Sequence, residues 1–183
     1  MSRPIAMARF DRGWPLAGAW AAVISILVLG AASLATGQPF WMPLNATSHG
    51  LYGPEAAQFT GFDLAHTVVG AVIHVASCFF WAAVAVLMLC GVQRGNMALA
   101  AGAGLATAAL AGVVDYALMP ARLTPGWELV LPPAGVMAGL ASMGVGLAIG
   151  LGLAQRSDNH GRERRARETA QIAADQPGIV HKD

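Results

Sequence analysis

The feature that most constrains this chain is a series of four long apolar segments, at residues 14–36, 64–92, 97–119 and 129–153. Each segment exceeds the roughly 18 residues that mark a candidate membrane helix, and the first contains no charged residue. In hydrocarbon a spanning segment must satisfy its own backbone hydrogen bonds, which an α-helix does. The sequence therefore predicts four transmembrane helices.

The breaks between the later segments are short and contain turn-forming residues. Gly95 and Asn96 lie in one break, and Pro120, Pro125 and Gly126 lie in the next. Helices joined by short connections pack as antiparallel neighbours. The predicted fold is therefore all-α, a transmembrane up-and-down four-helix bundle.

The composition changes after the fourth segment. Over the whole chain 56% of residues are apolar and 11% are charged, whereas about a quarter are charged in a soluble domain. From residue 155 onward the apolar pattern stops and charges of both signs mix. We interpret residues 1–154 as one membrane-embedded domain and residues 155–183 as a flexible cytoplasmic tail, with a short helix around Arg162 to Ile172.

Arginine placement predicts the orientation, because positively charged loop residues stay on the cytoplasmic side. One side of the predicted bundle carries Arg122 alone, and the side that holds both termini carries Arg3, Arg9, Arg12, Arg94, Arg156, Arg162, Arg164, Arg165 and Arg167. Both termini are therefore predicted in the cytoplasm, in a multi-pass protein of the bacterial inner membrane. The alternative, a signal peptide cleaved near Ala35, is disfavoured because the apolar core exceeds the usual length of roughly 7 to 15 residues.

Several function classes are excluded or disfavoured by composition and motif content. The net charge of +1 provides no basic surface for nucleic acid, so the predicted partner is the lipid bilayer. The sequence contains no nucleophile elbow, zinc-protease motif or phosphate-binding loop, which makes an enzyme the least favoured interpretation.

Cys78 and Cys90 stand roughly 18 Å apart along one predicted helix, too far for a disulfide, and are interpreted as packing residues.

Polar and ionisable side chains cluster toward the outer ends of the second and third segments and in the adjoining loops. Such residues are costly in a membrane and are functional candidates by default. His74 shares a polar helix face with Thr67 and Ser77, so it is expected to point into the bundle. We predict an outward-facing cavity that binds a small polar ligand or relays protons, with the candidate residues His49, Asp63, His66, His74, Asp115, Tyr116 and Arg122.

Several of these candidates also have a structural interpretation. Asp63 stands just before an apolar helix, where aspartate is a favoured N-cap, and His66 would then occupy the third helical position. Asp115 and Arg122 are placed to form an ion pair that fixes the outer loop. A neutral His74 hydrogen-bonded to a neighbouring span would satisfy a buried imidazole without any further role.

The sequence leaves metal binding and haem binding as alternative interpretations. His66 and His74 are eight residues apart, about 12 Å along a helix, and cannot both bind one metal ion. A haem held between helices would need a histidine from a second chain, or a methionine such as Met119 or Met137, as its second axial ligand.

Small residues repeat along the third and fourth segments. Because lipid removes the hydrophobic drive between helices, close approach at such residues supplies much of their association energy. The repeats predict packing faces within the chain or, for a structural or assembly subunit, contacts with a second copy or another membrane protein, and they comprise Gly104, Ala108, Ala111, Gly112, Gly135, Gly139, Gly146 and Gly150.

Three stretches carry a resemblance to a known group of proteins. They read Pro43-Leu44-Asn45-Ala46-Thr47-Ser48-His49, then His66-Thr67 with Gly70, Ile73-His74 and Phe80-Trp81-Ala82, then Asp115-Tyr116 with Pro120 and Arg122-Leu123-Thr124-Pro125-Gly126-Trp127-Glu128. On these residues the sequence resembles a group of uncharacterised proteobacterial inner-membrane proteins over most of residues 40–130. The resemblance implies four membrane spans and no assigned activity. Gly50 and Val75 depart from the pattern, which has an aromatic residue and a second histidine there.

Overall fold

The structure, a computed structural model, describes residues 4–175. Within that range it is all-helical and contains four helices that are long and apolar enough to cross a membrane. The main helices are α1 Gly13–Ala35, α2 Met42–Thr47, α3 His49–Tyr52, α4 Val69–Met88, α5 Met97–Val113 and α6 Pro133–Asp175. The prediction of an all-α four-helix transmembrane bundle is therefore confirmed.

Two π-helical turns extend the second and third spans at the same end of the bundle. Leu64–Val68 leads into α4, and Val114–Leu118 follows α5, so the continuous apolar spans are Leu64–Met88 and Met97–Leu118. Single π turns often occur at functional sites because they re-aim side chains within a helix. One of these turns carries Asp115.

The long helices do not all contact their sequence neighbours equally. α1 packs extensively against α6 and against α4, and α5 packs against α6, whereas α4 and α5 touch only slightly. The first and last spans are therefore the main partners in the bundle. The weak contact between α4 and α5 leaves space near one end of the bundle.

Close backbone approach explains the main contact between α1 and α6. A Cβ atom on Gly146 would lie 2.5 Å from the Ala21 Cα atom, and one on Gly150 would lie 2.5 Å from the Ala17 Cα atom. Neither side of these contacts has room for a larger residue. These glycines serve packing within the chain, and contact with another chain stays a prediction.

The two ends of the bundle differ in composition. We call the end formed by α2, α3 and residues 119–132 the cap end, and the end that holds residues 4–12, 89–96 and 154–175 the terminus end. At the terminus end the 3-10 turn Ala6–Ala8 is buried, and the Arg9 guanidinium lies 3.8 Å from the Asp158 carboxylate of α6. The segment that precedes α1 is thereby held against α6.

The last helix is longer than the sequence pattern suggested. The span was expected to end near residue 153, but α6 continues without a break to Asp175. The short helix predicted around Arg162 to Ile172 is part of this longer one, because the change from apolar to charged residues does not interrupt good helix formers. The rest of the predicted tail, residues 176–183, lies outside the described residues.

Candidate functional site

His74 lies inside the bundle, on the side of α4 that meets α1. Its side chain is 3% exposed, and its Nε2 atom is 3.0 Å from the Ser25 hydroxyl of α1. The same nitrogen is 3.7 Å from the Cys78 sulfur, one helical turn along α4. Ser25 and Cys78 are both buried, with their oxygen and sulfur atoms 3.9 Å apart. Three polar side chains therefore meet in the interior of the span.

The Ser25 hydroxyl fixes the direction of these hydrogen bonds. It lies 2.6 Å from the Ala21 carbonyl oxygen, which can only accept, so its one hydrogen is donated there. The His74 Nε2–H group is then the donor to the Ser25 oxygen. The hydrogen bond to a neighbouring span that we considered for His74 is present, and it offsets the cost of burying an imidazole.

A cavity of about 100 Å³ is lined in part by His74 and Cys78. At ~30 Å³ per water molecule, this volume holds roughly three waters or one small solute. The polar and aromatic side chains that line it come from α2, α4, the π turn after α5 and the loop before α6, and include Thr47, His74, Ser77, Cys78, Asp115 and Trp127. The Trp127 ring lies 5.9 Å from the His74 ring, centre to centre. Leu123 and Ser77 are exposed lining residues, so the cavity opens at the surface there.

Asp115 and His74 therefore line one cavity, although they belong to different spans. Asp115 is half-buried in its π turn. Its predicted ion pair with Arg122 is not among those that residues 4–175 form, because Arg122 is exposed and donates from Nε to the Gly50 carbonyl oxygen at 3.2 Å. The Arg122 guanidinium thus binds the first loop, whereas Asp115 lines the cavity.

His49 has a structural position at the cap end, away from the cavity lining. It is buried, with Nδ1 2.8 Å from the Ala46 carbonyl oxygen and Nε2 3.1 Å from the Ala121 carbonyl oxygen. Gly126, at φ 78°, sits beside this ring, where a Cβ atom would lie 2.6 Å from Nδ1. His49 thereby joins α3 to residues 119–132, the segment that covers the cavity.

Asp63 and His66 form a separate dyad at the surface of the cap end. One carboxylate oxygen accepts from the His66 backbone N–H at 2.7 Å, which confirms the predicted N-cap. The other oxygen accepts from the His66 ring at 2.9 Å. The hydrogen bond from this ring lowers the pKa of Asp63, and the one from the His66 backbone N–H lowers it further. Phe59 stacks on the imidazole with 4.6 Å between ring centres.

Tyr116 faces away from the cavity, toward an apolar groove between α5 and α6. This groove encloses about 810 Å³, and its walls are mainly alanine, leucine and valine side chains. Glu128 stands at its polar end. Tyr116 lines this groove and is absent from the cavity lining, so it is not grouped with His74 and Asp115.

The described residues, 4–175, contain no group of three or more His, Cys, Asp or Glu side chains that could hold a metal ion. His74 and Cys78 make a pair of such ligands, and Met143 of α6 lines the same cavity. Met119 and Met137, considered as haem ligands, are exposed and do not line it. This cavity, at about 100 Å³, is well below the ~300–1,000 Å³ of typical cofactor pockets and is too small for haem.

Sequence reasoning missed Ser25, Thr47 and Trp127 and interpreted Cys78 as a packing residue. Two signals were available. Ser25 is a lone hydroxyl in the middle of an uncharged span, and Cys78 follows His74 at the four-residue spacing that puts two side chains on one helix face. Neither signal reveals that α1 and α4 bring the two faces together.

Comparison with known protein families, with curated proteins and with solved structures found no match. The functional argument therefore depends on the residues of this chain alone.

Proposed function

We propose that this multi-pass membrane protein lies in a bacterial inner membrane, with both termini in the cytoplasm and the cap end outside. The arginine distribution supports this orientation, because Arg9, Arg12, Arg94 and Arg156 lie at the terminus end and Arg122 is the arginine of the cap end within residues 4–175. The test uses cysteines at opposite ends. In intact spheroplasts, a membrane-impermeant maleimide should label Thr124→Cys at the cavity rim and spare the exposed native Cys90. The opposite pattern would reverse the orientation.

The function that the geometry supports best is binding of a small polar solute in the cavity between α4, α5 and α6. One observation carries this proposal: His74 and Asp115, from two different spans, line one cavity. Ionisable groups within spans are expensive, and they are retained mainly where a cavity or pathway uses them. Thr47 and Trp127 complete the polar and aromatic wall.

The lining favours a solute that donates hydrogen bonds or carries a positive charge. Asp115 is the charged group of the lining, which also includes Thr47. Trp81 and Trp127 also line the cavity, and aromatic rings attract cations. The cavity volume limits the solute to a few non-hydrogen atoms.

The hydrogen bonds around His74 favour binding over proton transfer through the membrane. From the ring the contact leads to Ser25, and Ser25 donates to the Ala21 carbonyl oxygen. A backbone carbonyl accepts a hydrogen bond but carries no proton to pass on. The hydrogen-bonded path from His74 therefore ends at the Ala21 carbonyl oxygen.

The test uses methylammonium as the probe, with tryptophan fluorescence as the readout because two indoles line the cavity. Purified protein should respond saturably to methylammonium chloride and show no such response to sodium acetate at equal ionic strength. Asp115→Asn should abolish the response, and His74→Gln should weaken it. Asp63→Asn, which changes a carboxylate outside the cavity, should leave it intact. An unchanged response in Asp115→Asn would refute the proposal.

A further inference from the structure

The inner end of the cavity holds two side chains with metal-binding chemistry on one helix face. His74 and Cys78 are four residues apart on α4, with Nε2 and Sγ separated by 3.7 Å. With metal–sulfur and metal–nitrogen bonds of about 2.3 and 2.05 Å, two ligands on one ion lie about 3.6 Å apart at a tetrahedral angle and about 3.8 Å apart at a trigonal one. The observed separation lies between these values, so neither side chain needs to move far.

A third soft donor belongs to the same wall. Met143 of α6 is buried and lines the cavity together with His74 and Cys78. Its thioether is flexible and polarisable, so the sulfur can adjust toward an ion between the other two ligands. Trp81, one turn beyond Cys78, closes the apolar side of this end.

The charge balance selects the class of ion. Within this ligand set only the thiolate carries a charge, so the set is neutral with a monovalent cation, which avoids the cost of an uncompensated charge among the ligands. Thiolate and thioether ligands also select soft ions such as Cu(I), while imidazole tolerates several metals. A soft monovalent ion therefore fits this ligand set better than zinc or a hard cation.

We propose that His74 Nε2, Cys78 Sγ and Met143 Sδ bind one soft monovalent metal ion, Cu(I) or Ag(I), at the inner end of the cavity. The ion replaces the proton of the Cys78 thiol, which leaves to water in the cavity, and no electron is transferred. The His74 ring proton moves from Nε2 to Nδ1, which gives up the hydrogen bond to Ser25. The proposal depends on the proposed function only in that the ion enters through the same cavity.

The test measures stoichiometric binding of Ag(I) and of Cu(I), the latter under reductant and against a chromophoric Cu(I) chelator. Metal retained after desalting should reach one ion per chain in the parent protein. Cys78→Ser and His74→Gln should each abolish retention, and Met143→Leu should weaken it. The matched control is Cys90→Ser, which removes the exposed cysteine at the other end of the same span and should retain the full stoichiometry.

Three results would overturn the metal site: no retention by the parent, retention that survives Cys78→Ser, or retention lost in Cys90→Ser. Far-ultraviolet circular dichroism of each variant separates loss of the site from loss of the fold. The methylammonium response distinguishes the two proposals. A protein that responds to methylammonium and retains no metal refutes this inference alone, whereas a protein that does neither refutes both.

Discussion

The cap end and the interior of the bundle are held together by different forces. At the cap end, buried polar side chains form hydrogen bonds between elements that are far apart in sequence. Asn45 binds Phe59 and Gly61, and His49 binds Ala121. Along the interface of α1 and α6, glycines bring backbones into contact.

This difference shows why most of the polar cluster is structural. A loop at the membrane surface contains irregular backbone whose polar groups need partners, and side chains such as Asn45 and His49 supply them. A straight helix makes its own backbone hydrogen bonds, so a polar side chain within it is not needed as a hydrogen-bond partner for the backbone. His74 and Asp115 stand on the spans and face a cavity, which separates them from the loop residues.

The largest expected effect is at the backbone contact of the interior. Gly150→Val would force a branched side chain against the backbone of Leu16 and Ala17, and overpacking of this kind should cost about 3 kcal/mol or more. Thermal unfolding in detergent, followed by circular dichroism, measures the loss. Gly102→Ala is the control, because a Cβ atom there meets no atom within 4 Å. Equal destabilisation by the two variants would show that close backbone contact does not stabilise this interface.

The next largest effect tests the hydrogen bonds of the cap end. Asn45 is fully buried, donates to Phe59 and Gly61, and accepts from Thr67 at 2.6 Å. Asn45→Ala leaves these groups without partners and should cost about 2 kcal/mol in unfolding free energy. Asn96→Ala, which removes an exposed N-cap at the terminus end, is the comparison and should cost less. If both cost the same, the two ends would not differ as described.

A smaller effect is expected at one hydrogen bond between the cap and the cavity. The Thr47 hydroxyl donates to the Pro43 carbonyl and accepts from the Trp127 indole N–H at 3.2 Å. Thr47→Val keeps the shape and removes both bonds, which should cost about 1 kcal/mol and shift the fluorescence of Trp127. Thr47→Ser keeps the hydroxyl and should retain the parent spectrum. A valine variant with unchanged spectrum and stability would argue against this contact.

The smallest effect is a pH dependence at the exposed dyad. The hydrogen bonds from His66 lower the pKa of Asp63 below the ordinary value of 3.8 for an aspartate. Its ionised form therefore stabilises the folded state at any pH above that value, and the contribution is lost as pH falls through the lowered folded pKa. The melting temperature of the parent should exceed that of Asp63→Asn near neutral pH, and the difference should shrink as the pH falls below 3.8. A difference that grows on acidification would contradict this assignment.

The fold was predictable because its main determinant is local. Each span needs only a run of apolar residues long enough to cross the bilayer, and its helix satisfies its own backbone. The N-cap at Asp63 was predictable for the same reason, since the carboxylate and the N–H groups it serves are close in sequence. The long extension of α6 was missed because a change of polarity marks the membrane boundary but does not end a helix.

The sequence by itself determined the number of spans, their lengths and the residues that are costly to bury. Only the tertiary structure decided which of these residues meet. Helical periodicity fixes the face that His74 shares with Cys78, but the packing of α1 against α4 brings Ser25 to that face, and the weak contact of α4 with α5 opens the cavity to Asp115. Such contacts join residues about 40 or more positions apart, and they depend on how small side chains let backbones approach, which no local pattern specifies.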